Sequence, residues 1–359
     1  MTSPLTIVVC DGDQTGQELL DEALRVLAPE VLGLSVNLER HDLSLAARVA
    51  SNIGVVHDAA AAMRTHGLGL KAATVTPPER GSVGSPNRIL REGIDGSVIV
   101  RTGRRIPGVK PVITTQHPIV VVRMAVGDAY GAAEGRDGSG DTESAWRTER
   151  ISRSVCRSVA EYSFHAAKRM GGSVYGGPKW TVSPTYEGML KEEMDAASAR
   201  SPDVVYRPVL IDAAYAGLVT EDFAEPIVVP SLNRDGDCLS DLVLALFGSI
   251  AGAESVLLAL DENLRPVVAM AEAPHGTAPS LEGKNVANPM AMLLAIAAVL
   301  EHADLRTEDP AFARAAKRLR QATLSAAADG IRTFDLGGDA TMSGVVDEVI
   351  ARLTAQSLS

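Results

Sequence analysis

Residues 5–27 of the chain read LTIVVCDGDQTGQELLDEALRVL, and this stretch decides the predicted fold class. Residues 5–10 are nearly all apolar, which is typical of a buried strand. Residues 16–27 then place apolar side chains at helical spacing, namely Leu19, Leu20, Ala23, Leu24 and Leu27. The turn between them contains no G-x-G-x-x-G sequence, so the strand and helix are predicted without a classical Rossmann nucleotide site.

The same alternation of strands and helices continues along the chain. Strands are predicted at 97–100, 119–123, 204–210, 227–229, 255–259 and 267–270. Helices are predicted at 85–92, with Ser85 as the cap and Pro86 as the first residue, and at 148–170, 289–302, 310–328 and 343–353. Residues 131–145, rich in Gly, Ser and acidic residues, are predicted to form a loop. This pattern indicates an α/β fold with a parallel or mixed sheet.

Composition limits the class of partner. The chain has 359 residues, enough for two domains, and a net charge of -11, which gives it no electrostatic reason to bind nucleic acid or an anionic membrane. The longest apolar run, 289–300, is too short to cross a bilayer. Three scattered cysteines and an N-terminus without a basic segment favour free thiols and a cytoplasmic location.

Four polar residues around one short predicted helix form a candidate anion site. Ser85, Asn87 and Arg91 lie on its first turns, and Arg101 follows in the next strand. Hydroxyl, amide and guanidinium groups near a helix N-terminus bind carboxylates well. A capped surface helix with solvated arginines is the alternative that spacing alone leaves open.

Two further motifs carry possible chemistry. Arg123 ends an apolar strand, and Tyr130 follows it by seven residues. Arg123 would face an anion and Tyr130 could donate a proton. The alternative is that both residues have only a structural role. Asp237 and Asp241 are four residues apart at a predicted helix start, so their carboxylates share a face that suits Mg²⁺ or Mn²⁺. Serving the helix dipole is the alternative, and a metal would need a third ligand.

The segment from His275 to Pro289 is a loop rich in turn residues that precedes a long apolar helix. Its backbone N–H groups could cradle a nucleotide, although a plain connector would have the same composition.

In their order and spacing, these motifs resemble the isocitrate and isopropylmalate dehydrogenase family, the β-decarboxylating dehydrogenases, and within it the isocitrate branch. The resemblance extends over nearly the whole chain, from Asp11-Gly-Asp-x2-Gly16 to Asp335-Leu-Gly-Gly338. The motifs that carry it are Ser85-x-Asn87-x3-Arg91-x9-Arg101, Lys71-x4-Thr76-Pro77, Arg123-x3-Gly127-Asp128-x-Tyr130, Lys179-x6-Tyr186-Glu-Gly188-x2-Lys191, Ile211-Asp212, Asn233-x-Asp-Gly-Asp237-x2-Ser-Asp241 and Glu272-Ala-x-His275-Gly-Thr277.

The resemblance implies a role for each matching residue. Substrate carboxylates would bind Arg91, Arg101 and Arg123, and the distal acidic group would bind Thr76, Ser85 and Asn87. Catalysis would use Tyr130 as the proton donor and Lys179 as the base, together with Asp212. Mg²⁺ or Mn²⁺ would be held by Asp237 and Asp241 of one subunit and by Asp212 of the partner subunit, so active sites would be shared in a homodimer. The cofactor would bind Lys71, Thr74, Glu272, His275, Gly276, Thr277, Ala278, Asn288 and Asp335.

The implied fold has two domains with mixed sheets flanked by helices. Residues 1–97 and 252–359 would form a large cofactor-binding domain. Residues 98–251 would form a small domain with the substrate and metal residues, and an arm at about 131–175 would clasp the partner subunit.

The implied activity is oxidative decarboxylation of a small polyanionic 2-hydroxy acid to a 2-oxo acid and CO₂. NAD is favoured over NADP, because the positions that would meet a 2′-phosphate hold no cation; they are Ser280, Leu281, Phe334 and Gly338. The substrate would be isocitrate or an analogue such as the 3-phosphonomethylmalate of phosphonate antibiotic biosynthesis; Arg88 is either a surface cation or a contact for the more anionic group. The alternatives are an isopropylmalate or homoisocitrate dehydrogenase and a non-catalytic regulatory subunit.

Overall fold

The structure is a computed structural model that describes residues 4–77 and 82–357, with side chains up to residue 355. The chain divides into two compact units. Unit 1 comprises Met1–Gly96, Thr102–Val112 and Leu244–Ser359, and unit 2 comprises Ser97–Arg101 and Ile113–Val243.

Strands and helices alternate through the described residues. The strands are β1 (Leu5–Asp11), β2 (Val36–Asp42), β3 (Leu68–Lys71), β4 (Gly96–Gly103), β5 (Ile119–Met124), β6 (Asp128–Asp137), β7 (Ser144–Arg150), β8 (Ser173–Tyr175), β9 (Tyr206–Arg207), β10 (Ile227–Ser231), β11 (Ser255–Leu260) and β12 (Pro266–Glu272). The helices are α1 (Gln14–Leu24), α2 (Pro29–Leu32), α3 (Leu45–Ala50), α4 (Gly54–His66), α5 (Pro86–Gly93), α6 (Arg153–Met170), α7 (Tyr186–Arg200), α8 (Ile211–Thr220), α9 (Asn233–Leu246), α10 (Met290–Glu301), α11 (Ala311–Ala328) and α12 (Met342–Ser357).

Unit 1 is built on a mixed sheet in the order β2-β1-β3-β12-β11. The first four of these strands are parallel neighbours, and β11 is antiparallel to β12. Helix α10 packs against β12 and α11, and every residue from Met290 to Leu300 is buried. A helix that is apolar on all sides has to be covered on all sides, so α10 forms the centre of this core.

Unit 2 contains the parallel strands β5, β10, β8 and β9, in that order. Helix α6 packs on them, and its buried face includes Val159, Phe164 and Ala167. Strand β5 is buried along its whole length, although it ends in Arg123-Met124. Arg123 therefore lies near the carboxyl end of a buried strand. Ligand-binding residues of α/β proteins usually lie at this edge of the sheet.

The predicted α/β class with a mixed sheet is confirmed, but four local predictions were wrong. Residues 131–145 are mostly strand, because β6 and β7 form an antiparallel hairpin. Most of its side chains are exposed, so the hairpin lacks the alternation of apolar and polar residues that marks a half-buried strand. The predicted strand at 204–210 shortens to β9.

The other two wrong predictions concern helix starts. The helix predicted from residue 148 begins at Arg153, where Ser152 accepts a hydrogen bond from the Val155 N–H at 3.3 Å. Helix α5 begins at Pro86 as predicted, but the side chain of Ser85 makes no capping hydrogen bond. The Ser85 hydroxyl is thus not committed to its own helix.

Candidate active site

Arg123 is the buried anchor of a polar cluster in unit 2. Its Nε donates to Asn233 Oδ1 at 3.0 Å, and its Nη1 pairs with Asp237 Oδ1. Gly236 makes this approach possible, because a Cβ there would lie 2.8 Å from Cβ and Cγ of Arg123. The strand β5 and the helix α9 therefore meet closely at this point.

Arg101, at the end of the unit 2 part of β4, holds the same helix face. Its Nη1 donates to Ser240 Oγ at 2.9 Å and to Asp241 Oδ1 at 3.1 Å, and it lies 3.7 Å from Asp237 Oδ1. Asp237 and Asp241 are one helical turn apart, as the spacing predicts. We call Arg101, Arg123, Tyr130, Asp237 and Asp241 the Arg–Asp cluster.

Tyr130 on β6 completes this cluster. Its hydroxyl donates to Asp237 Oδ2, and the guanidinium carbon of Arg123 lies 5.1 Å from the ring centroid. Partial burial, together with the hydrogen bond to Asp237, raises the pKa of Tyr130 above its ordinary value. The phenol is thus protonated at neutral pH and is able to act as a general acid.

Lys179 and Asp212 form a separate pair in the same unit. Lys179 Nζ donates to Asp212 Oδ2, and this hydrogen bond lowers the pKa of the exposed Asp212 carboxyl. The backbone N–H of Lys179 donates to Glu187, the second residue of α7. Within the described residues, neither side chain of the pair has a hydrogen bond or ion pair to Asp237 or Asp241.

The described part of the chain contains no group of three or more His, Cys, Asp or Glu residues arranged to hold a metal ion. The Arg–Asp cluster supplies two carboxylates, which are suitable ligands for a hard dication. Two carboxylates are fewer than such an ion takes, so these residues fit a metal only as part of a larger ligand set.

Unit 1 carries the predicted residues for the distal acidic group. Ser85 and Asn87 are half-buried at the start of α5, and Thr76 is exposed. Arg91, which is predicted to bind a substrate carboxylate, is half-buried further along the same helix. The Asn87 Oδ1 atom is buried and has no hydrogen-bond partner within the described residues, which leaves it available to a ligand. Arg88 is 62% exposed and pairs with Glu92 at 2.8 Å one turn later, which supports its interpretation as a surface cation.

Sequence reasoning missed a buried pair in unit 1 that fixes the backbone beside Thr76 and Ser85. The guanidinium of Arg48, 1% exposed, donates to the carbonyls of Leu43, Val75 and Gly84. Asp13 accepts the Val75 N–H at 2.8 Å and lies 3.5 Å from Arg48. The sequence feature that could have indicated this pair is the single Arg among the alanines of α3, since a buried Arg needs several acceptors.

Replacing Arg48 with Met is expected to lower the free energy of unfolding by about 3 kcal/mol, because three carbonyls and one carboxylate lose their buried donor. Urea denaturation measures this loss, and Arg88→Met, which removes only an exposed pair, should change stability by less than about 0.5 kcal/mol. Equal effects of the two substitutions would contradict the assignment of Arg48 as a buried brace.

The predicted cofactor residues lie in unit 1 around the loop after β12. Lys71 is buried, donates to the Ala72 carbonyl at 2.9 Å and lies 3.4 Å from Glu272. Asn288 donates to Asp335 at 3.0 Å, which ties two distant segments together. The others occupy the loop or its neighbourhood; they are Thr74, His275, Gly276, Thr277 and Ala278.

His275 is the strongest indication of a ligand in this loop. Its Nδ1 contacts the Gly276 carbonyl at 3.0 Å, whereas its buried Nε2 has no partner within the described residues. Burial lowers the pKa of His275, so the imidazole is neutral near pH 7. A Cβ added at Gly276 would meet no atom within 4 Å, so the backbone there is open to a bound molecule.

Among the helices of the described residues, none combines the length and the apolar character that crossing a membrane requires.

Comparisons with known proteins give matches along almost the whole chain. Residues 6–349 match the family model described as isocitrate/isopropylmalate dehydrogenase. The mitochondrial isocitrate dehydrogenase (NAD) catalytic subunit 5 of Arabidopsis thaliana is 29% identical over 346 residues, which cover 95% of this chain and 86% of that protein. The chloroplastic 3-isopropylmalate dehydrogenase of Solanum tuberosum is 28% identical over 321 residues, which cover 89% of this chain and 84% of that protein.

A solved structure supports the fold. The isocitrate dehydrogenase from Methylococcus capsulatus superimposes with a TM-score of 0.84 at 23% identity, covering 97% of this chain and 99% of that one. The match of the family model over almost the whole length decides membership: this chain belongs to the isocitrate/isopropylmalate dehydrogenase family of β-decarboxylating dehydrogenases.

Proposed function

We propose that the protein catalyses the metal-dependent, NAD-linked oxidative decarboxylation of isocitrate or a close analogue. The observation that carries this proposal is the Arg–Asp cluster, in which two arginines, two aspartates and a protonated tyrosine lie on one face of α9 and the adjoining strands. Few activities need cations, metal-binding carboxylates and a proton donor within hydrogen-bonding distance of one another.

The charges of the cluster match a substrate that arrives with a metal ion. Arg101 and Arg123 neutralise Asp237 and Asp241 through ion pairs. A tri-anionic hydroxy acid together with a dication would let each arginine exchange an aspartate for a substrate carboxylate. Arg contacts to carboxylates contribute roughly 1.5–3 kcal/mol each. This exchange explains how an acidic protein binds an acidic substrate.

Asp237 and Asp241 would hold Mg²⁺ or Mn²⁺ together with Asp212 of the partner subunit. When bound, such an ion supplies Lewis-acid stabilisation of the negative charge that develops on the hydroxyl oxygen of the substrate. Lys179 would take the hydroxyl proton, and Tyr130 would return a proton to the carbon that loses CO₂. Thr76, Ser85, Asn87 and Arg91 remain the sequence-based prediction for the remaining acidic groups.

Two features support a homodimer with shared sites. Asp212 lies on an exposed face of α8 together with Ala216 and Val219, a small and apolar surface that a second subunit would cover. The β6–β7 hairpin exposes most of its residues, including Trp146 at 47%. An isolated two-stranded hairpin is only marginally stable, so packing on a partner would stabilise it.

NAD is the proposed cofactor, because none of the four positions that the family resemblance assigns to a 2′-phosphate holds a cation. Ser280 and Phe334 are exposed, Leu281 packs against Leu19 and Met342, and a Cβ at Gly338 would lie 2.0 Å from the Arg332 carbonyl. Position 338 therefore has no room for a basic side chain. The unpartnered Nε2 of His275 is a candidate contact for the nucleotide.

Isocitrate is favoured over a phosphonate analogue because Arg88, the candidate contact for a more anionic group, pairs with Glu92 on the surface. A non-catalytic subunit is the second candidate, but Tyr130, Lys179 and the three aspartates are all present.

The test is a substrate panel with purified protein and Mn²⁺. Isocitrate, homoisocitrate, isopropylmalate, tartrate and 3-phosphonomethylmalate are each assayed with NAD and with NADP by NADH or NADPH formation. We expect the highest kcat/KM for isocitrate with NAD. A preference for the phosphonate would move the protein to antibiotic biosynthesis, and no turnover with any pair would favour the non-catalytic subunit.

A further inference from the structure

Two motifs from the sequence have no role in the proposed chemistry. Asp128 precedes Tyr130 by two residues, and Tyr186 follows Lys179 by seven. The structure brings them together, since the Tyr186 hydroxyl donates to Asp128 Oδ1 at 2.9 Å. Asp128 is 6% exposed, so this carboxylate is held inside unit 2 without an ion pair among the described residues.

The second oxygen of Asp128 binds the helix that carries Asp237 and Asp241. Asp128 Oδ2 accepts the backbone N–H of Arg234, in the first turn of α9, at 2.7 Å. A carboxylate is well suited to this place, because the first N–H groups of a helix lack partners within the helix and carry a partial positive charge. Asp128 therefore fixes the start of α9 relative to β6.

The neighbouring residues repeat this connection. Asn233 Nδ2 donates to the Gly127 carbonyl at 3.0 Å, and Asn233 Oδ1 accepts from Arg123. On the other side, the residue after Tyr186 is Glu187, which accepts the backbone N–H of Lys179. One hydrogen-bonded chain thus runs from the Lys179 segment through α7 and Asp128 to α9.

The backbone conformation of Asp128 is an unfavourable one for most residues. Its φ is +59°, in the left-handed region that side chains other than Asn, Asp and Gly rarely adopt. Residues held in this region persist where surrounding contacts fix them. Burial raises the pKa of Tyr186 well above its ordinary value, so its hydroxyl stays a donor throughout the working pH range.

We propose that Asp128 and Tyr186 are positioning residues: their hydrogen bond aligns Tyr130 and the two aspartates of α9 with each other and couples them to the Lys179 segment. Neither residue touches the reacting atoms. The inference rests on the proposed function where kcat is measured. Its second test, Mn²⁺ binding, does not depend on turnover.

The kinetic experiment compares Tyr186→Phe and Asp128→Asn with the wild-type enzyme. Asn tolerates the left-handed backbone but places an N–H where one oxygen accepted. We expect either change to lower kcat by roughly 10- to 100-fold with KM within about threefold, since a small misplacement of catalytic groups has effects of that size. The double variant should be no slower than the slower single variant, because both remove one interaction.

The matched control is Tyr206→Phe. Tyr206 is also half-buried against α7, but its hydroxyl contacts the sulfur of Met194 at 3.9 Å instead of a carboxylate. We expect its kcat to stay within about twofold of wild type. Thermal unfolding of all variants separates lost positioning from lost folded protein.

The second readout is Mn²⁺ binding by electron paramagnetic resonance, with the metal alone and no substrate. Asp128→Asn should weaken Mn²⁺ binding roughly tenfold, the effect expected when groups that orient metal ligands are lost, and Tyr206→Phe should not. Unchanged Mn²⁺ affinity together with multiplying losses in the double variant would overturn the positioning role. A wild-type protein that binds Mn²⁺ but turns over no substrate would instead count against the proposed function.

Discussion

Replacing Asp237 with Asn is expected to reduce kcat/KM for the preferred substrate by at least about 1000-fold, since loss of metal-ion stabilisation alone removes several kcal/mol. Asp237 is the residue on which the Arg–Asp cluster converges: Arg123 and Tyr130 both hydrogen-bond to it, and Arg101 lies 3.7 Å away. An amide at this position is a poor metal ligand, and it places an NH₂ donor group against neighbours that are themselves donors.

The substitution also removes the acceptor that orients Tyr130, so proton transfer should suffer together with metal binding. Steady-state kinetics at saturating Mn²⁺ measure the effect. Asp235→Asn is the matched control, because Asp235 lies two residues earlier on α9 and pairs with Arg234 at 3.6 Å. Activity of Asp237→Asn above about a tenth of wild type would mean that the cluster is not the catalytic centre.

The sequence was sufficient to predict the fold class and the contacts within a helix. The four-residue spacing of Asp237 and Asp241 guarantees a common face, and the helix α9 confirms it. The sequence also predicts that Arg123, at the end of a buried strand, contacts an anionic group, because an arginine in a core requires an acceptor. Both inferences use periodicity or burial, which are properties of local sequence.

What the sequence did not reveal depends on contacts between distant residues. The brace of Arg48 on Val75 and Gly84 joins segments about 30 residues apart, and no spacing rule predicts it. The sequence predicts a loop where β6 and β7 form a hairpin, because most of the hairpin's side chains are exposed and no apolar–polar alternation marks the strands. Asp128 and Tyr186 were visible as motif residues, but their hydrogen bond is a fact of the tertiary structure.

The proposal of shared active sites makes the other large prediction. Lys179→Met is expected to lower kcat by roughly 100- to 10,000-fold, the range for losing a general base. If each site combines Asp237 of one subunit with Lys179 of the partner subunit, the two inactive variants should complement each other. Mixed and refolded in equal amounts, Lys179→Met and Asp237→Asn would form heterodimers in half of the molecules, each with one intact site, and about a quarter of wild-type activity should return.

Within a single subunit, Lys179 pairs with Asp212 and not with Asp237. The complementation experiment therefore distinguishes a lysine that serves the partner's site from one that serves the site of its own chain. If Lys179 served the site of its own chain, every site in the mixture would lack either the lysine or the aspartate, and activity would stay at the level of the separate variants. Lys168→Met is the control partner, since Lys168 is an exposed residue that pairs with Asp203 at 2.8 Å. Refolded with Asp237→Asn, it should return about half of wild-type activity, because the sites built on its own Asp237 stay intact whichever subunit supplies Lys179. Measured together, the two mixtures test whether Lys179 acts across the dimer interface.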